Sequence, residues 1–417
     1  MPSIAVVGLQ WGDEGKGKVA AYLARGANLA VRYNGGPNAG HTIMYSGKTF
    51  RMHLVPAGGL VCGTAAIGAG VYVDLKTLSE ELKESREVRP DLRLYLSPRA
   101  QVITEIARRA EEFLESMRGE RAIGTTRRGI GPTAVERFGR VGLRVADLLE
   151  PDSLQEKLRD IVTFWNLKGV DTRALADGLS ELFSSIEVEV TEVNRLIRER
   201  LTSGGTVIFE GAQGTMLDVF YGTYPYVTSS ITTSAGVSIG CGIPSRWIDV
   251  IVGVAKSYTT RVGAGPFPTE IHGDIADRIR SAGVEYGATT GRPRRIGWLD
   301  IAQLKFAADL NGTDEIFLTR VDTLSGLDRL KVCVGYEGYE DGEFPVTVSE
   351  LSRVRPVYAE LEGWPPIDET KRGEILREGY GALPSQARRY LDFVEENLGT
   401  HVKYVGVGPR TEDVVER

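Results

Sequence analysis

Ile4-Ala5-Val6-Val7-Gly8-Leu9 leads to Gly12-Asp13-Glu14-Gly15-Lys16-Gly17-Lys18 and then to Val19-Ala20-Ala21-Tyr22-Leu23-Ala24-Arg25-Gly26. The first run is short and apolar, as a buried strand is. The last reads as a helix closed by a glycine. Strand, glycine loop and helix in succession open an α/β protein. Further strand candidates follow at Leu29–Tyr33, Leu94–Ser97, Thr206–Phe209, Trp247–Ala255, Glu315–Thr319, Leu330–Tyr336 and Val402–Val407. Helical periodicity fits Gln101–Met117, Ser153–Trp165, Ile186–Leu201 and Ala387–Leu398. Such alternation predicts an α/β fold with a large, mainly parallel central sheet flanked by helices.

Working outward, Thr42 to Val55 alternates around Ser46-Gly47-Lys48 and reads as a hairpin. Pro132 after Gly129-Ile130-Gly131 is expected to keep the chain out of a helix there. The charge-rich segment from Glu337 to Gly381 reads as loop-heavy. With no internal repeat and no Gly/Ser linker, residues 1–417 are expected to form one domain, with inserted subregions at about 100–200 and 337–381.

Glycine is the compositional outlier: 50 of 417 residues, about 12% against an average near 7%. Fifty basic and 56 acidic side chains leave a net charge of −6, which argues against a dedicated nucleic-acid binder. Cys62, Cys241 and Cys333 are too few and too far apart for a disulfide framework or a metal spacing. No apolar run approaches the ~20 residues of a membrane helix, and no basic leader precedes Asp13 and Glu14. A cytoplasmic protein is expected.

The surplus glycine gathers in loops that could meet ligands. Gly12-x-x-x-x-Gly17-Lys18 matches the start of a phosphate loop, but Val19 stands where a hydroxyl should hold magnesium. A bland turn is the alternative. A strand before it and a helix after it favour phosphate, because backbone N–H groups at a helix start can cradle it. Asp13 is the nearest hard oxygen for the metal. The core is therefore P-loop-like, with inserted loops and hairpins. No G-x-G-x-x-G occurs, so the simplest dinucleotide reading falls away.

Asn34-Gly35-Gly36-Pro37-Asn38-Ala39-Gly40-His41-Thr42 sets one histidine among small residues, which points to close backbone approach to a ligand. Thr125-Thr126-Arg127-Arg128-Gly129-Ile130-Gly131-Pro132, with Arg137, Arg140 and Arg144 beyond it, concentrates positive charge. Gly287-Ala288-Thr289-Thr290-Gly291-Arg292-Pro293-Arg294-Arg295 does the same. Arginine forks grip phosphates and carboxylates, so two such loops in an acidic chain favour small anionic substrates over a merely solvated face. Thr319-Arg320-Val321-Asp322 follows a buried strand, and a carboxylate there can accept both N1–H and N2–H of guanine.

Gln10-Trp11-Gly12-Asp13-Glu14-Gly15-Lys16-Gly17-Lys18 resembles the adenylosuccinate synthetase family. The resemblance continues in order through Asn34 to Thr42, Arg128 to Pro132, Phe209-Glu210-Gly211-Ala212-Gln213-Gly214-Thr215 and Gly222 to Ser230. It then takes in Tyr258 to Glu270, Gly287 to Arg295 and Gly408-Pro409-Arg410-Thr411-Glu412, essentially the full chain. It implies ligation of L-aspartate to IMP, driven by GTP with Mg²⁺, through a 6-phosphoryl-IMP intermediate.

By that resemblance Asp13, His41, Lys16 and Gln213 are catalytic. Asp13 takes the proton from purine N1 and ligates the metal together with Gly40, and His41 acts on the transferring phosphoryl group. Asn38, Thr126, Arg140, Gln213, Thr228 and Arg292 match the IMP site. Arg140 reaches into the partner subunit, so a homodimer is implied. Gly12, Glu14, Gly15, Lys16, Gly17, Gly40, His41, Thr42, Arg294, Arg320, Asp322, Gly406 and Gly408 match the GTP site. Ala288, Thr289, Thr290 and Arg292 match the aspartate loop. The chain departs from the family at Arg320, usually Lys, at Gly406-Val407-Gly408, usually Ser-Thr-Gly, and at Val284, usually Asn. Two rivals stay open: a paralogue running the same chemistry on another purine or with ATP, and a GTP-hydrolysing switch.

Overall fold

A computed structural model describes residues 3–119, 123–287 and 291–417. Its spine is a ten-stranded sheet. From one edge the order is Val414–Glu416, His401–Gly406, Glu315–Thr319, Val250–Lys256, β1 (Ser3–Gly8), Val207–Glu210, β2 (Leu29–Arg32), Thr64–Ile67, Arg93–Leu96 and Glu189–Val190. Every neighbouring pair is parallel except the edge strand Val414–Glu416, which runs antiparallel to His401–Gly406. β1, β2 and Val207–Glu210 are apolar throughout except at their ends, and almost wholly buried, as strands covered on both faces must be.

The strand order reverses beside β1, which makes the carboxyl ends of the central strands the place for a ligand. Those ends carry Gly8, Arg32, Glu210, Lys256 and Thr319. Separate apolar clusters pack on either side of the sheet. Val6, Val19, Ala20 and Phe317 seat helix α1 (Lys16–Leu23), while Tyr33, Phe209 and Val237 fill the space near the opposite half.

The hairpin forms as expected from β3 (His41–Tyr45) and β4 (Lys48–Met52). Ser46 and Gly47 both take positive φ, as a two-residue primed turn requires. Three expectations are corrected. Ile130–Gly139 is a helix despite Pro132, because proline in the first turn gives up an N–H that has no intrahelical partner anyway. Helix Val193–Thr202 starts later than its periodicity suggested, because Glu189–Val190 joins the sheet edge first. The Glu337–Gly381 segment holds helix Glu369–Glu378 and strand Pro356–Glu362, the latter paired with Arg329–Tyr336. Its charge belongs to solvent faces, not to missing structure. Among the described residues no helix is long and apolar enough to cross a membrane.

Candidate active site

The glycine loop sits on the carboxyl end of β1 and ends in α1, whose N-cap Gly15 has φ 94° and no side-chain cap. The first N–H groups of α1 are thus left for an anion. Glu14 shapes this loop from inside. Its buried carboxylate accepts the N–H of Gln10 (3.1 Å) and Gly12 (2.9 Å) and pairs with Lys16. Lys18 is also committed: it donates to the carbonyls of Gly408 (2.7 Å) and Asp413 (2.9 Å), tying α1 to the C-terminal loop. Burial pulls Lys18 down to about 8.

His41 stands across α1 from the loop, and the two come so close that a Cβ on Gly17 would lie 2.7 Å from the Cβ of His41. Only glycine allows this approach. His41 Nδ1 lies 2.5 Å from Glu210 Oε1, and Arg32 Nη1 lies 3.3 Å from His41 Nε2. Arg32 Nη2 closes the triangle on Glu210 at 3.1 Å. Arg32 Nη1 also lies 3.1 Å from Nδ1, so it is the Glu210 contact alone that calls for a proton on Nδ1. Burial, helped by Arg32, pushes His41 down to about 3, so the ring is neutral in this state. Although burial opposes it, the charge of Arg32 and the hydrogen bonds from His41 and the Gly58 N–H hold Glu210 below its ordinary value.

Asp13, with φ 60°, projects 26% exposed beside Arg294, whose Nε lies 3.0 Å from Oδ2. That N–H is not aligned for a hydrogen bond. Asp13 is held by charge and keeps free lone pairs. Among the described residues no cluster of three His, Cys, Asp or Glu side chains could hold a metal. A single carboxylate beside a phosphate cradle fits Mg²⁺, which keeps waters and shares substrate phosphates, better than a metal needing a full protein cage.

Gln213 faces the same space from a strained φ of 58°. Both atoms of its buried carboxamide lack a hydrogen-bond partner among the described residues. Asn38 and Thr228, 190 positions apart, meet at 3.2 Å, and Asn38 Oδ1 is left over. Thr319 Oγ1 donates to the Glu14 carbonyl (2.7 Å), placing the Thr319–Asp322 turn against the glycine loop. Asp322 Oδ1 is buried without a hydrogen-bond partner among the described residues. Burial pushes Asp322 up, against Arg320 and Lys18. Arg320 sits at φ 66°, and Gly406 lies against Thr319 of the same turn, whereas Gly408 packs on Arg372 and Asp413.

Thr126, Arg140 and Arg292 are exposed, and Arg140 makes no ion pair among the described residues. Thr42 is exposed on the hairpin and Gly40 is half-buried. Ala288, Thr289 and Thr290 lie outside the described residues. Arg294 stands at Asp13. Sequence reasoning gave no role to Arg32, Glu210, Lys256 or Glu285. For Arg32, Glu210 and Lys256 the available signal was a charged residue closing an apolar strand, which at the carboxyl edge of a parallel sheet marks a site; Glu285, just past helix Asp274–Gly283, carried no such signal.

A phosphate cradle, a buried imidazole–carboxylate couple and buried polar groups without partners among the described residues define a nucleotide-using α/β enzyme. The adenylosuccinate synthetase family profile matches residues 5–415. The chain belongs to that family of ligases. The adenylosuccinate synthetase of Halothermothrix orenii is 45% identical over 430 residues, covering 100% of this chain and 99% of its own. The structure of fully ligated adenylosuccinate synthetase from Plasmodium falciparum superposes with a TM-score of 0.93 at 34% identity, covering 100% of both chains. Cyanophage S-2L succinoaminodeoxyadenylate synthetase, solved with dGMP and dATP as an energy donor, gives a TM-score of 0.63 at 24% identity. It covers 100% of this chain and 95% of its own, and at that identity it speaks to the fold alone.

Proposed function

We propose that the protein joins L-aspartate to IMP at the expense of GTP, giving adenylosuccinate, GDP and phosphate. The observation that carries the reading is Gln213: a buried carboxamide with neither end paired among the described residues, on a strained backbone, lying against Gly35 of the small-residue loop. Leaving such a group unsatisfied costs about 1–3 kcal/mol, which a polar ligand would recover.

The six-oxygen of IMP leaves poorly, so it is phosphorylated first and then displaced by the aspartate amine. Asp13 takes the N1 proton, which drives electron density onto the six-oxygen. His41 starts neutral. As phosphoryl charge gathers near Nε2, an imidazolium between that anion and Glu210 becomes favourable, and the ring can then donate. Lys16 is positioned to neutralise phosphate charge. Asp13 and the Gly40 carbonyl would hold Mg²⁺, which screens the phosphate oxygens when bound.

Asp322 supports GTP over ATP, because its free acceptor suits the N1–H and N2–H of guanine, whereas adenine presents an acceptor at N1. Arg292 supplies charge, and Thr289 and Thr290 supply hydroxyl donors, for the aspartate carboxylates. Exposed Arg140 supports a homodimer in which it reaches the partner's IMP phosphate. We read residues 1–417 as one unit working in the cytoplasm.

Purified protein given IMP, GTP, aspartate and Mg²⁺ should form adenylosuccinate and GDP in equal amounts, followed by chromatography. No adenylosuccinate, with another purine or ATP consumed instead, would overturn the reading. GTP hydrolysis needing neither IMP nor aspartate would point to a switch.

A further inference from the structure

Lys256, Tyr258 and Glu285, none of them an expected site residue, form with Arg294 a buried chain behind Asp13. Glu285 Oε1 accepts from Lys256 Nζ (3.0 Å) and Tyr258 Oη (2.5 Å), and Glu285 Oε2 pairs with Arg294 Nη1 at 2.5 Å. Arg294 then reaches Asp13 at 3.0 Å. Lys256 and Glu285 are each 1% exposed. Although burial works against it, Lys256, Arg294 and Arg320 together hold Glu285 down to about 2, so it stays a carboxylate.

The same two residues close the neck of the Gly287–Arg292 loop. Arg294 N donates to the Glu285 carbonyl (2.9 Å), and above that rung Gly287 N donates to the Arg292 carbonyl (2.8 Å). The other side of the clamp is the sheet. Lys256 ends the central strand Val250–Lys256, and Gln10 holds the turn after it: Lys256 N donates to Gln10 Oε1 (3.0 Å), and Gln10 Nε2 donates to the Tyr258 carbonyl (3.0 Å). Gln10 itself opens the glycine loop. One buried carboxylate thus joins the sheet, the neck of the anion loop and the guanidinium beside the base.

We propose that Glu285, clamped by Lys256 and Tyr258, is a positioning residue that fixes Arg294 and the neck of its loop while Asp13 turns to the substrate. This role rests on the ligase reading above. The contrast between the two Arg294 contacts supports it. The Asp13 contact is unaligned and easily broken, whereas Arg294 stays with Glu285, whose two other bonds prevent it from following. When Asp13 leaves, Arg294 remains at the site with its Nε free for an anion.

A double-mutant cycle on adenylosuccinate formation tests this. Misplacing the pair by about 1 Å costs about 100-fold, so Glu285→Ala should lower kcat by about that factor. It should also raise KM for aspartate, with KM for GTP within about threefold of wild type. Glu285→Asp should recover part of the loss. In an Arg294→Ala background Glu285→Ala should have no further effect, which a general loss of structure would not produce. Tyr258→Phe removes one clamp bond and no charge, so it should fold even if the alanine variant does not. It should cost about tenfold in kcat and be silent once Arg294 is gone. Additive effects in an active enzyme, or wild-type kcat in Glu285→Ala, would overturn this role alone. A wild-type protein that makes no adenylosuccinate would overturn the role and the functional reading together.

Discussion

The glycine loop and the rim around it differ in how their polar groups are used. In the loop every buried charge is committed: Glu14 to two backbone N–H groups and Lys16, Lys18 to two carbonyls. Around the rim, Gln213, Asn38 and Asp322 each bury at least one polar atom with no partner among the described residues. Committed groups fix the shape of a cradle whose binding atoms are backbone N–H. Unpartnered groups carry the cost of waiting for a ligand. The rim, with Asp13 beside it, should therefore answer to mutation in kinetics and the bracing groups in stability.

The largest effect should come from Asp13. Positioned proton transfer contributes about 10²–10⁴-fold, so Asp13→Ala should lower kcat into that range while IMP binding by calorimetry stays measurable. Retained turnover would remove Asp13 from the rim and leave the base unidentified. Next comes Asp322→Asn, which loses the charge from two hydrogen bonds to guanine. It should raise KM for GTP by about 100-fold and leave KM for IMP nearly unchanged. Parallel rises in both would show that Asp322 braces the fold, as Glu14 does.

Arg140 sharpens the comparison differently, since its exposed guanidinium waits for a ligand that this chain alone does not offer. One charge-assisted bond is worth about 1.5–3 kcal/mol, so Arg140→Leu should raise KM for IMP by about tenfold or more, and KM for GTP far less. Mixing it with Asp13→Ala protein should restore activity if sites are shared between subunits. Normal IMP kinetics in Arg140→Leu would place that residue outside the site.

The fold was legible where one pattern dominated. The Ile4–Gly26 run gave strand, loop and helix because apolar content, glycine spacing and helix closure agreed. Pro132 misled because a proline's meaning depends on its place in a helix, and the helix start at Ile130 is set by packing on Ile103 and Ala107. The rim residues were named because whole loops carried the family resemblance. Arg32, Glu210 and Glu285 were passed over because each is a single charge that belongs to no local motif. The 169-residue separation of His41 and Glu210 is invisible to any local pattern.

Glu81 tests the bracing side with the smallest effect. From helix Leu75–Val88 its buried carboxylate accepts the N–H of His53 (2.6 Å), Leu54 (2.9 Å) and Val55 (3.0 Å), and His53 in turn bonds the Ala39 carbonyl beside Gly40. Burial pushes Glu81 up from 4.5 to about 7, against those three N–H groups. Below pH 4.5 the acid is neutral in both the folded and the unfolded chain and contributes no pH dependence. Between 4.5 and about 7 the unfolded chain has released the proton while the folded chain still holds it, so stability falls as pH rises through that window. Glu81→Gln cannot titrate. Its Tm should therefore gain on wild type by about 2 °C or more across the window, and the difference should level off above it. A difference independent of pH would mean that the backbone donors fully offset burial, and that Glu81 braces its hairpin as a permanent charge, much as Glu14 braces the glycine loop.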